Sequence, residues 1–136
     1  MLEGRNWFRV DRATSADLAR LRSLAPYNLP DQYLDLVAFS NGGEGPLAIS
    51  PYNLCLDPAK IVADAINSDN DGRADLMGFL IFGGNGSGEY LAFDARSGAP
   101  WPIVAIDMVA GGDSAEVIAT DFATFYDRIG MEAKAT

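Results

Sequence analysis

The sequence predicts an α+β fold in a single domain, and three observations carry that prediction. Apolar residues recur at helical spacing behind capping signals between Thr14 and Asn67. From Met77 the pattern changes to short apolar runs separated by glycine-rich or tight-turn segments, as strands require. A capped amphipathic segment from Thr120 to Gly130 then closes the chain. Helices early, strands late and a final helix describe the α+β order. At 136 residues, 49% of them apolar and 21% charged, the chain has the size and composition of one globular core.

Residues 1–13 read as a strand or loosely held arm anchored by Trp7, Phe8 and Val10. A first helix is expected from Thr14, whose hydroxyl can cap it while Asp17 favours the positive helix end; Leu18, Leu21 and Leu24 mark its apolar side and Pro26 stops it. Leu29-Pro30-Asp31 starts a second helix, with Pro30 suited to the first helical position. Its stripe is Tyr33, Leu36, Val37 and Ser40, and Asn41-Gly42-Gly43 supplies helix-ending residues. Asp57-Pro58 reads as an acidic cap and a starting proline for a third helix, with Ile61, Val62, Ala65 and Ile66 on one side. Before it, Leu47–Ser50 and Tyr52–Leu56 read as strand pieces bent at Pro51. Phe79–Phe82, Glu89–Asp94 and Trp101–Met108 should form an antiparallel meander, with Gly83–Gly88 and Ala95–Gly98 as its turns; a short strand at Glu116–Ala119 follows. Thr120-Asp121 caps the last helix, which carries Phe122, Phe125, Tyr126 and Ile129.

Composition removes many functions. The chain has no histidine, so no imidazole serves as base, triad member or metal ligand, and the single Cys55 forms neither an internal disulfide nor a cysteine zinc site. A lone thiol fits a reducing compartment, no apolar run approaches a membrane span, and the first residues lack a signal-peptide core, so a cytoplasmic protein is expected. The net charge of −9 disfavours nucleic acid and anionic membrane as partners and favours a basic protein surface. That charge is uneven: residues 1–22 hold five arginines against three acids, and the remainder is strongly acidic.

The individual motifs mostly have structural explanations. Gly83-Gly84-Asn85-Gly86-Ser87-Gly88 resembles a phosphate loop only superficially, because a strand follows it and no P-loop lysine is present. Residues 67–78 carry oxygen side chains at positions suited to a calcium loop, but position 12 is Gly78 instead of a bidentate glutamate. Asp69, Asp71, Asp75, Asp94, Asp107, Asp113 and Asp121 offer many carboxylate pairs for a hydrolase without singling one out. Cys55, between Leu54 and Leu56 and with no neighbouring cation, reads as a buried structural thiol.

Leu29-Pro30-x-x-Tyr33-x-x-Leu36-Val37-x-x-Ser40-Asn41-Gly42-Gly43 resembles the signature of the SUKH superfamily, in which a Leu-Pro-initiated helix runs into an Asn-Gly-Gly turn. Phe79-Leu80-Ile81-Phe82-Gly83 with Gly86-x-Gly88-Glu89-Tyr90-x-x-Phe93-Asp94 looks like that family's central hairpin, and Ile118-Ala119-x-x-Phe122-x-x-Phe125 like its closing helix. The resemblance covers residues 14–130, leaving 1–13 as an arm and 131–136 as a tail. It implies a central, mostly antiparallel sheet with helices packed on it. It also implies a non-catalytic module: many bacterial members are immunity proteins that bind toxins, eukaryotic members are regulatory interaction modules in cell-wall synthesis, and no common catalytic residues come with the family; no metal or cofactor is expected.

The expected function is therefore an immunity-type protein that neutralises a toxin, for example a basic nuclease, through an acidic surface. Its candidate contacts are Glu44, Asp69, Asp71, Asp75, Asp113 and Glu116, all placed in loops or at element edges. A small-molecule- or calcium-regulated binding protein is the alternative, and a carboxylate-pair hydrolase a third. No oligomeric state is expected from these residues.

Overall fold

A computed structural model of the chain describes residues 1–133, so the last three residues of the expected tail lie outside the described part. Helix α1 (Ser15–Leu24) starts where its cap predicts: the Asp17 N–H donates to Thr14 Oγ1 at 3.1 Å. Helix α2 (Asp31–Phe39) buries Tyr33, Leu34, Leu36 and Val37. Pro30 sits just before its first residue as the N-cap, one position earlier than expected. Strands β1 (Glu44–Pro46) and β2 (Asn53–Leu56) precede α3 (Ala59–Asn67), and β3 (Phe79–Gly84), β4 (Glu89–Asp94), β5 (Ile103–Asp107), β6 (Glu116–Ala119) and α4 (Phe122–Tyr126) complete the chain. Short 3₁₀ turns at Ala74–Leu76 and Gly111–Ser114 lie in the connectors before β3 and β6.

All six strands form one sheet in sequence order, each antiparallel to the next. One face carries the main core. Leu54 and Leu56, Leu80 and Phe82, Leu91 and Phe93, and Ile103 and Ala105 meet the helices there. Tyr33, Phe82, Phe93, Phe122 and Phe125 make an aromatic centre in that core, with Phe82 within 4.9–6.1 Å of the other four ring centroids. The opposite face has a smaller core, not anticipated from the sequence: Phe79, Ile81, Ala92, Val104 and Ile106, closed by Leu76 from the first 3₁₀ turn and flanked by Ala115. Burial on both faces explains why β3 reads as an unbroken apolar run.

Several expectations need correction. The first strand lies at Glu44–Pro46 and not at Leu47–Ser50, whose Leu47 makes only an isolated bridge to Ile129. Glu44–Pro46 pairs with Cys55–Asn53 of β2, and the arm adds to its start: Phe8 and Glu44 exchange both backbone hydrogen bonds, at 2.8 and 3.2 Å. Gly83 and Gly84 belong to β3, and only Asn85–Gly88 is turn. Asp57 does not cap α3; the side-chain oxygen of Asn41 accepts the Ala59 N–H at 2.8 Å instead. Ile61 is exposed, and Ala59, Val62 and Ala63 form the buried stripe.

The Ser40–Gly43 segment also does more than end a helix. The Ser40 hydroxyl is fully buried, accepts from Trp7 Nε1 and the Val10 N–H, and donates to the Gly42 carbonyl at 2.7 Å. Gly43 has φ +108°, and a Cβ there would lie 2.5 Å from the Phe8 carbonyl oxygen, so only glycine lets the arm approach. Residues 1–13 are thus a built part of the fold, with Leu2 buried and Phe8, an expected anchor, exposed.

Three of the five arginines at the basic start of the chain are explained in the same way. Arg5 donates to the Tyr126 and Ile129 carbonyls at the end of α4, at 2.6 and 3.1 Å, and Arg9 donates to the Phe39 carbonyl at the end of α2. Guanidinium groups there satisfy orphan carbonyls and meet the negative helix end. Arg20 joins Asp64 of α3 at 2.8 Å. Arg5→Ala is expected to destabilise the fold by about 1–2 kcal/mol, measured by urea denaturation, whereas Arg12→Ala should change little.

Asp57 gives a pH prediction. Burial holds its carboxyl above the ordinary value, and the carboxylate accepts no hydrogen bond among the described residues. A value raised in the folded state means that stability is gained as pH falls through it, so the charged form is a burden at neutral pH. Asp57→Asn should raise the melting temperature at pH 7, by an amount that shrinks as the pH approaches 4. A lowered melting temperature at pH 7 would contradict this.

Candidate functional site: two acidic connectors

The α3–β3 connector, residues 68–78, turns by an unusual route. Asp69, Asn70, Asp71 and Gly72 have φ of 49°, 55°, 58° and 75°, four consecutive residues in the left-handed region. Asp, Asn and Gly are the residue types that tolerate that region, so the calcium-like composition of this segment has a backbone cause. Asn70 turns inward, its amide donating to the Leu76 and Phe79 carbonyls at 2.9 and 3.1 Å, and the Asp71 N–H donates to Ser68 Oγ. Asp69 and Asp71 are left exposed at the surface. Among the described residues, no group of three or more Cys, Asp or Glu side chains is placed to hold a metal ion.

This connector packs on the one between β5 and β6. Arg73 makes a two-pronged contact with Asp75, at 3.2 and 2.9 Å, and its third nitrogen donates to the Met108 carbonyl at 2.9 Å. The Gly112 N–H donates to Asp75 Oδ2 at 3.3 Å. The bond from Arg73 holds the Asp75 carboxyl below its ordinary value, and the Asp107 carboxyl is lowered by the N–H groups of Ala110 and Val109. Asp113 lies in the second 3₁₀ turn and Glu116 opens β6, both exposed.

Five of the six candidate contacts thus lie on, or at the end of, two connectors that touch each other: Asp69, Asp71, Asp75, Asp113 and Glu116. Asp75 is already paired with Arg73. Glu44 is separate, on β1 at the far side of the sheet, where it accepts from the Asn53 side chain at 3.1 Å. The packing of one connector on the other was invisible in the sequence, because the residues that make it are 37 positions apart.

Two cavities of about 420 Å³ each open near the end of α1. One lies beside the α3–β3 connector and includes Tyr27, Ile66, Asp69, Met77, Phe79 and Leu80 in its walls. The other is lined by Arg22, Tyr27, Asn28, Leu29, Asp31 and Leu34. Each holds a single carboxylate, so neither offers the pair that a hydrolase would use. Cys55 is half-buried on the outer side of β2, less covered than expected, and burial followed by the charge of Glu44 pushes its thiol up, away from a reactive thiolate.

The profile of the SMI1 / KNR4 family (SUKH-1) matches residues 12–128. The chain belongs to that family. The match takes in all four helices, all six strands and both acidic connectors of this SUKH-1 domain. No curated protein matches it. SUKH-1 membership is compatible with a protein-binding role of the immunity or regulator type. No helix among the described residues is long and apolar enough to cross a membrane.

Proposed function

We propose that this SUKH-1 domain is an immunity-type binding protein that neutralises a basic toxin domain without catalysing a reaction, and that it works in the cytoplasm. The observation that carries the reading is the convergence of the two connectors: with the strand ends Asp107 and Glu116 they bring six carboxylates against one arginine, and that arginine is already engaged by Asp75 and the Met108 carbonyl. Asp69, Asp71, Asp113 and Glu116 are left to meet Lys or Arg of a partner. The field of an acidic face accelerates encounter with a basic partner and rejects acidic ones. Three of the five arginines of the basic start, Arg5, Arg9 and Arg20, are engaged at helix ends or in an ion pair.

The test uses the full chain as bait in a lysate of its native cell, beside an Asp71→Lys/Asp113→Lys/Glu116→Lys variant. A basic protein retained by the native chain and lost by the folded variant is the expected result. Retention of the same proteins by both baits would contradict the assignment.

A further inference from the structure

In the cavity beside the α3–β3 connector, the charge of the acidic surface is backed by apolar walls. Ile66, Phe79, Leu80 and Ala95 line it, and Tyr27 and Met77 also line it while remaining 59% and 74% exposed. The Tyr27 ring stands edge-on to Trp101, centroids 5.7 Å apart, which limits its freedom. Asp69 and Arg73 are the charged residues of this lining. Arg73 is held by Asp75 and the Met108 carbonyl, whereas Asp69 has no cationic partner among the described residues.

These walls select the chemistry of an occupant. An anionic ligand would face the Asp69 carboxylate with no unengaged cation to offset it, and a wholly apolar one would desolvate that carboxylate without compensation. A side chain with a methylene stem and a cationic head satisfies both demands, the stem covering Ile66 and Met77 and the head meeting Asp69. Arginine fits better than lysine, since its weakly hydrated, planar guanidinium also stacks on an aromatic ring such as Tyr27. We propose that this cavity receives an arginine side chain of the protein partner. The assignment rests on the basic-partner reading and gives it a specific anchor.

The experiment is an NMR titration of the full chain with N-acetyl-arginine methylamide, and with the citrulline analogue, which has the same shape and no charge. Saturable shifts centred on Ile66, Asp69, Asn70 and Met77, with citrulline binding about tenfold more weakly, are expected. Asp69→Asn should reduce arginine binding to the citrulline level, and asparagine accepts the positive φ at this position, so the fold is kept. Met77→Ala should weaken both probes, and Asp35→Asn, at an exposed position of α2, should weaken neither. Equal binding of the two probes, shifts spread over all acidic residues, absence of saturation, or an unaffected Asp69→Asn variant would each overturn the proposal. Failure here is distinguishable from failure of the functional reading: a partner captured equally by native chain and Asp69→Asn, yet lost by the triple lysine variant, removes the arginine pocket and leaves the acidic surface standing.

Discussion

Phe82→Ala is expected to destabilise the protein by about 3–5 kcal/mol. Phe82 is fully buried on β3 and its ring touches Tyr33, Phe93, Phe122 and Phe125, so it joins α2, the sheet and α4 in one contact. Four neighbours from three elements cannot all close on the vacated space, and the residual cavity adds to the lost burial. Total stability of a domain this size is only about 5–15 kcal/mol, so much of it disappears. Urea denaturation with an unchanged slope and a much lower midpoint would agree. A loss no larger than that of an exposed control such as Val117→Ala would show that this aromatic centre is not the keystone of the core.

Gly112→Ala should act on the connectors instead of the core. A Cβ at Gly112 would lie 1.9 Å from the Asp75 carbonyl oxygen and 3.3 Å from the Phe79 ring. Backbone, not a flexible side-chain tip, must give way, so the two connectors separate and the Gly112–Asp75 hydrogen bond is lost. The expected penalty is at or above the upper end of the roughly 1–3 kcal/mol typical of overpacking. Partner binding should weaken more than overall stability, because Asp113 moves relative to Asp69 and Asp71. Gly98→Ala, where a Cβ meets nothing within 4 Å, is the control and should leave both unchanged. Amide exchange that rises in residues 73–76 and 108–114 of Gly112→Ala while β3 and β4 stay protected would locate the damage.

Local chemistry made most of the fold readable in the sequence. Thr14 and Asp121 cap their helices with their own side chains, and the apolar runs of β3, β4 and β5 needed nothing beyond their neighbours to be placed. Misreadings arose where a distant segment supplied the partner. Asp57-Pro58 has the form of a cap, but Asn41 occupies that role, 18 positions before the Ala59 N–H that it accepts. Glu44 begins a strand because it pairs with Cys55 of β2 on one side and bridges Phe8 of the arm on the other, which no periodicity near Glu44 announces. The candidate site shows the same division. Exposure of Asp69, Asp71, Asp113 and Glu116 followed from loop composition, whereas their arrangement on two touching connectors depends on Arg73 reaching Met108 and on Gly112 reaching Asp75. The positive-φ run at Asp69–Gly72 further explains why this loop imitates a cation site: the residues that bind calcium are also those that bend left-handed.

The central claim is that an anionic face steers a basic protein to this domain, and association kinetics test it most directly. With the captured partner, the association rate should fall steeply between low and physiological salt for the native chain, and fall by tenfold or more at low salt for the Asp71→Lys/Asp113→Lys/Glu116→Lys variant, whose salt dependence flattens. An association rate indifferent to salt, or the same for both chains, would contradict the account.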